Sequence, residues 1–173
     1  MTEILWHGRG GQGAFTAARL LGEAYALKDG SYALAFPSFG PERRGAPIRA
    51  FTKLDSKPIG NRSEVKKADF SIFLDDTLFS DSAFDELKPG GKVLLNTKKK
   101  TDDPRVITID GDSIAGNYLG MPITNTILLG ALAAVSGLVT VDEIAQSISL
   151  SMPQRIREKN INAVAAAYEE ALQ

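Results

Sequence analysis

No cysteine occurs anywhere in this chain of 173 residues. That excludes a disulfide, a thiolate-held iron–sulfur cluster and a thiol nucleophile. A single histidine, His7, leaves too few nitrogen ligands for the usual zinc sites. The formal net charge is only -1, so the chain as a whole carries no field for nucleic acid or an anionic membrane, and neither is expected as a partner. No apolar run reaches the roughly 18 residues of a membrane span. Met1-Thr2-Glu3 leads straight into an apolar stretch without the basic start of a leader. The expected location is the cytoplasm. What the chain does have is an ordinary globular composition, 43% hydrophobic and 24% charged, unlike that of disordered chains. Its length suits one domain, taken as residues 1–173.

The organising stretch is Gly8-Arg9-Gly10-Gly11-Gln12-Gly13. It follows the apolar run Ile4-Leu5-Trp6 and precedes residues 14–21, whose apolar side chains recur at helical spacing. The order is strand, glycine turn, helix. Glycines suit a turn with positive φ or one that another group approaches closely, and the helix start aims unpaired N–H groups and its positive dipole end at the turn. An anion fits there, and so does a tight turn with no ligand. The second strand, Tyr32 to Phe36, ends in Pro37-Ser38. A dinucleotide-binding unit would have an acidic residue there, about 20 residues past the glycines, and the Gly-Lys-Ser/Thr ending of a nucleoside-triphosphate loop is missing as well.

Next comes Phe39-Gly40-Pro41-Glu42-Arg43-Arg44-Gly45-Ala46-Pro47, in which glycines and prolines fence off three charges and forbid a helix. Arg43 and Arg44 can grip a phosphate or carboxylate bidentately, and Glu42 can pair with either or with another subunit; the alternative is a solvated charged turn. Residues 48–54 alternate apolar and polar, as a half-buried strand pairing antiparallel near a sheet edge does. Phe70 to Leu74 is a buried strand with Asp75 and Asp76 at its end, where capping and loop hydrogen bonds are the favoured role for two adjacent carboxylates. A short helix over Asp81 to Leu87, a turn at Lys88-Pro89-Gly90-Gly91 and a strand over Lys92 to Asn96 form a parallel crossover. Lys98-Lys99-Lys100 reads as a solvated edge, and His7 as a hydrogen-bonded strand-end residue. Further on, Arg105 to Ile109 is a strand, and Asp110-Gly111-Asp112 turns into a short helical segment.

The last 50 or so residues are helical: a buried, small-residue helix over Asn125 to Val135, one over Val141 to Ile148 with Thr140 and Glu143 as a capping box, and one over Ile156 to Leu172. Together the elements predict a three-layer α/β/α, Rossmann-like domain with a mainly parallel sheet and an antiparallel edge.

Three stretches carry a family resemblance: the glycine turn, residues 35–47 with the arginine loop, and Asn125-Thr126 with Leu129-Gly130-Ala131. In order and spacing the chain resembles the gamma subunit of 2-oxoacid:ferredoxin oxidoreductases, the pyruvate type above all. The resemblance implies oxidative decarboxylation of a 2-oxoacid with coenzyme A as co-substrate, giving acyl-CoA and carbon dioxide and passing electrons to ferredoxin. It implies alpha, beta and delta subunits as partners, with thiamine diphosphate, magnesium and 4Fe-4S clusters held by them and none by this chain, and no catalytic residue in it. Gly8, Arg9, Gly10, Gly11, Gln12, Gly13, Gly40, Glu42, Arg43, Arg44, Gly45, Asn125 and Thr126 become candidates for ligand binding or subunit contact. Two alternatives stay open. One is the gamma subunit of a branched-chain 2-oxoacid or oxalate oxidoreductase; the other is a free-standing nucleotide- or coenzyme-binding module.

Overall fold

The computed structural model describes residues 1–41 and 43–173. Its sheet has six strands: β1 (Thr2–Arg9), β2 (Tyr32–Pro37), β3 (Pro47–Asp55), β4 (Ala68–Phe73), β5 (Leu87–Asn96) and β6 (Val106–Ile109), in the order β2-β3-β1-β4-β5-β6. β1, β4, β5 and β6 run parallel, while β3 is antiparallel to both β1 and β2. The mainly parallel sheet with an antiparallel edge is therefore as expected, and residues 48–54 lie one strand in from that edge. β1 is apolar on both sides because both of its faces are covered: Ile4 and Trp6 are buried on one and Leu5 on the other.

Five helices follow: α1 (Ala14–Ala26), α2 (Gly111–Tyr118), α3 (Asn125–Ser136), α4 (Val141–Ser151) and α5 (Gln154–Ala171). All five join one apolar core against the face that carries Ile4, Trp6, Ala50, Leu54, Ile72 and Leu94. Each fully buried aliphatic side chain of this kind contributes about 1.5–3 kcal/mol. A polar relay crosses the same layer. Trp6 Nε1 donates to Thr52 Oγ1 at 3.1 Å, and that hydroxyl donates to the Ala18 carbonyl at 2.8 Å, so the buried polar atoms of strand, strand and helix are satisfied together. The opposite face has a thinner layer. Two 3-10 segments, Asp76–Leu78 and Asp81–Glu86, pack there over Phe73, Val93 and Leu95, and Val65 of the loop after β3 covers Leu5 and Phe51. The third layer is thus built from 3-10 turns and loop.

Small residues set the helix packing. A Cβ added at Gly130 of α3 would lie 2.5 Å from the Val164 carbonyl oxygen of α5, so these helices approach as closely as their backbones allow. The Thr140–Glu143 capping box forms in full at the start of α4. Pro153, lacking an N–H, separates α4 from α5, and these run to Ser151 and from Gln154, slightly beyond the expected limits. Two elements differ more. The expected helix over Asp81 to Leu87 is a 3-10 segment ending at Glu86, because Leu87 is drawn into the sheet opposite Ala68. The expected turn at Lys88-Pro89-Gly90-Gly91 is a bulge within β5: the register jumps from Ala68–Leu87 to Phe70–Lys92, with Gly90 at φ 79° and a Gly91 Cβ position only 2.8 Å from the Ala68 carbonyl oxygen.

The chain leaves β1 toward the β2 edge and leaves β4 toward the β6 edge. The carboxyl ends of β1 and β4 therefore flank the topological switch point, the place where open α/β sheets gather ligands.

Candidate functional site

The turn after β1 is closed by the Gln12 N–H donating to the Arg9 carbonyl at 3.0 Å, with Gly11 at φ 94°. Gly13, at φ 82°, is the N-cap of α1, and no side chain caps the helix, so its first-turn N–H groups point outward without a side-chain acceptor. Gly8 sits inside β1, where a Cβ would meet Leu74 and Ala14 at 3.3 and 3.4 Å.

The arginine loop folds directly onto this turn. The Gly10 N–H donates to the Ala46 carbonyl at 2.8 Å, the Gly45 N–H donates to the Gly10 carbonyl at 3.0 Å, and Gly10 and Arg44 form a parallel bridge. A Cβ at Gly10 would fall 2.2 Å from the Arg43 carbonyl oxygen, so the loop lies in space that only a glycine leaves free. Arg43 and Arg44 are exposed. Gly40 is exposed at φ 135° in open space, and Glu42 lies outside the described residues.

Arg9 is the brace between these pieces. Its Nε donates to Asp75 Oδ2 at 3.3 Å, Nη1 to the Gly45 carbonyl at 3.1 Å and Nη2 to Thr77 Oγ1 at 2.9 Å. Gln12 completes the cluster, accepting from the Arg9 N–H through Oε1 at 2.7 Å and donating through Nε2 to Asp75 Oδ2 at 3.1 Å. Asp75 also accepts from the Thr77 N–H and hydroxyl through Oδ1. Partial burial pushes its carboxyl up, but the bonds from Thr77 and Gln12 and the Arg9 charge outweigh this and hold it below the usual carboxylate range. Asp76 accepts from the Thr97 hydroxyl at 2.8 Å. The capping and loop roles expected of the aspartates are present, and Asp75 does more: it ties the end of β4 to both motif loops. Only its place at a strand's carboxyl end signalled this in the sequence.

Asn125 brings in the third motif. Its Nδ2 donates to the Gly13 carbonyl at 3.3 Å and lies where a Gly13 Cβ would clash. Thr126 is fully buried and donates to Asn160 Oδ1 at 2.8 Å, so it serves the α3–α5 contact rather than the exposed edge. Two cavities flank the turn. A polar one of about 400 Å³ lies between Gln12, Asp75, Asn96, Lys98 and Thr124, and an apolar one of about 370 Å³ lies between Gly11–Gly13 and Met121, Ile123, Met152 and Ile156. His7, as expected, is hydrogen-bonded: its Nε2 lies 2.9 Å from Glu86 Oε2 and its ring stacks on Phe73, on the sheet face away from α1. Burial raises the Glu86 carboxyl, and the contacts with His7 and the Arg49 charge bring it below its ordinary value.

Among the described residues, no group of three or more His, Asp or Glu side chains is placed to hold a metal ion, and no helix is long and apolar enough to cross a membrane. With no cysteine, the chain supplies no thiolate for an iron–sulfur cluster.

Residues 3–170 match the family described as pyruvate ferredoxin/flavodoxin oxidoreductase. The chain is 47% identical to the pyruvate synthase subunit PorC of Methanothermobacter thermautotrophicus over 98% of this chain and 96% of that protein. It is 42% identical to the common gamma subunit of the pyruvate/ketoisovalerate oxidoreductases of Pyrococcus furiosus, covering 98% of this chain and 97% of that one. Its fold superposes on the crystal structure of the pyruvate oxidoreductase subunit PORC of Thermotoga maritima with a TM-score of 0.83 at 36% identity, covering 97% and 95% of the two chains. With its glycine turn, arginine loop and Asn125 joined at the carboxyl end of β1, the chain belongs to the pyruvate ferredoxin/flavodoxin oxidoreductase family.

Proposed function

We propose that this chain is the gamma subunit of a pyruvate:ferredoxin oxidoreductase. The complex converts pyruvate, coenzyme A and oxidised ferredoxin to acetyl-CoA, carbon dioxide and reduced ferredoxin, and runs in the other direction as a synthase. The chain acts as one unit, residues 1–173, in the cytoplasm. Alpha, beta and delta subunits hold thiamine diphosphate, magnesium and the 4Fe-4S clusters and transfer the electrons to ferredoxin.

The chain's own task is to help enclose the active site and the approach of coenzyme A. The observation that carries this is the convergence at the switch point: uncapped first-turn amides of α1 beside two exposed guanidinium groups, on a loop fastened to the glycine turn. Backbone N–H groups and a pair of arginines suit the phosphates of coenzyme A, and also a carboxylate on a neighbouring subunit. The exposed Met121 and Ile123 beside the same turn suit a surface that another subunit covers.

A second reading has a specific observation behind it. A relative 42% identical is a gamma subunit shared by pyruvate and ketoisovalerate enzymes, which favours one gamma serving a branched-chain 2-oxoacid enzyme as well. A free-standing dinucleotide-binding module is disfavoured by the sheet. The antiparallel β3 lies between β1 and β2, so the end of β2 stands about 10 Å from the glycine strand.

The test is a gentle anaerobic pull-down of the chain, followed by assay of pyruvate- and coenzyme A-dependent reduction of a viologen dye. Brown, thiamine-dependent activity with copurifying subunits is expected, and ketoisovalerate in place of pyruvate separates the two readings. A colourless chain recovered alone, inactive yet binding nucleotide, overturns both.

A further inference from the structure

We propose that Asp75 is the positioning residue of the arginine loop: through Arg9 and Gln12 it sets where Arg43 and Arg44 stand when the assembled enzyme takes up coenzyme A. The inference rests on the proposed anion-gripping role of those two arginines and names the group that governs it.

Asp75 lies at the end of β4, remote in sequence from both loops, yet one of its oxygens receives two converging donors, Gln12 Nε2 at 3.1 Å and Arg9 Nε at 3.3 Å. The other oxygen is occupied by Thr77. With Nε fixed by Asp75, the remaining arms of the Arg9 guanidinium reach in two other directions, to Thr77 Oγ1 and to the Gly45 carbonyl. Gly45 directly follows Arg44, so the planar fork transmits the position of the β4 end to the arginine pair. A lysine carries all its N–H donors on one nitrogen, and that single point cannot reach three acceptors spread as those of the Arg9 fork are.

Asparagine at position 75 cannot replace the carboxylate. If its oxygen faces Thr77, its NH2 faces two donors; if it is flipped, its NH2 faces the Thr77 N–H. Among the described residues, Asp75 makes no hydrogen bond or ion pair with Arg43 or Arg44. It acts on them only through the brace, which makes it a positioning residue.

The experiment compares Asp75→Asn and Arg9→Lys with the parent in the assembled complex, by hydrogen–deuterium exchange over residues 38–47 and by separate KM values for coenzyme A and pyruvate. The expected result is faster exchange in that loop and a KM for coenzyme A raised about tenfold, the size of one lost charge-assisted hydrogen bond. The KM for pyruvate and the subunit composition stay as they were. Unchanged exchange over 38–47 in both variants overturns the proposal, as does faster exchange with an unchanged KM for coenzyme A where Arg43→Ala does raise it. Should Asp75→Asn fail to assemble, Arg9→Lys carries the same comparison alone. If Arg43→Ala itself leaves the KM for coenzyme A unchanged, the anion-gripping reading falls with it, and loop exchange alone decides whether Asp75 holds the loop.

Discussion

Gly10 and Asp75 decide the site at the level of single residues, one by the atoms it lacks and the other by the bonds it accepts. Gly10 is not in a left-handed conformation among the described glycines, so its requirement is steric: a methyl group there would meet the Arg43 carbonyl oxygen at 2.2 Å. Gly10→Ala is expected to lift the arginine loop, at a cost of about 1–3 kcal/mol, as overpacking typically has. Thermal unfolding of the purified chain checks the cost, and loss of protection of the Gly45 amide from hydrogen exchange checks the displacement. For Asp75 the folded carboxyl is held below its ordinary value, so the stability it contributes is fully present above the usual carboxylate range and is lost as pH falls through the folded value. Urea unfolding measured from about pH 7 down to about pH 3 is expected to show a smaller decline for Asp75→Asn than for the parent, over the range where carboxylates ordinarily titrate. Equal declines contradict the pairing. The sequence marked Gly10 by its motif, but it marked Asp75 only as a strand-end cap. Nothing local to residues 75–77 indicates that Arg9 and Gln12, more than 60 positions away, arrive on the same oxygen.

Elements stand where periodicity and caps place them, and depart where a tertiary contact outweighs local pattern. The Thr140–Glu143 box was legible because every part of it lies within four residues, and it forms as read. Thr140→Ala is expected to cost about 1 kcal/mol, measurable as a lowered urea midpoint. α3 was legible as buried from its run of small and aliphatic residues, but the reason for Gly130 was not, since it depends on α5 arriving 34 residues later. Gly130→Ala places a methyl group 2.5 Å from the Val164 carbonyl oxygen and is expected to destabilise by about 1–3 kcal/mol, more than the same change at the exposed Gly60, which has open space around it. Equal effects at the two sites would show that the helices do not meet as described. The short helix and turn before β5 were misplaced for the same physical reason: Ala68 on a neighbouring strand recruits Leu87, and no pattern within 81–91 records that partner.

At the scale of the whole molecule, the sheet order explains why a glycine turn of dinucleotide type occurs without the rest of a dinucleotide site. The insertion of β3 beside β1 removes β2 from the glycine strand, and β1 and β4 become the flanks of the switch point. The alternation of strands and helices made the α/β class readable; strand order was not, because β2 and β3 pair as an antiparallel edge whose docking side depends on contacts across the sheet. Three motifs spread over more than 100 residues meet at the carboxyl end of β1, with Asn125 on Gly13 and Gly45 on Gly10. One element of the layer opposite the helices is a His7–Glu86 pair stacked on Phe73, which takes no part in this convergence. The most direct measurement is the KM for coenzyme A of the assembled oxidoreductase carrying Arg43→Ala together with Arg44→Ala. A rise of about tenfold or more, the effect of losing charge-assisted phosphate contacts, with an unchanged KM for pyruvate and all subunits retained, is the predicted result. An unchanged KM for coenzyme A in a fully assembled complex would contradict it.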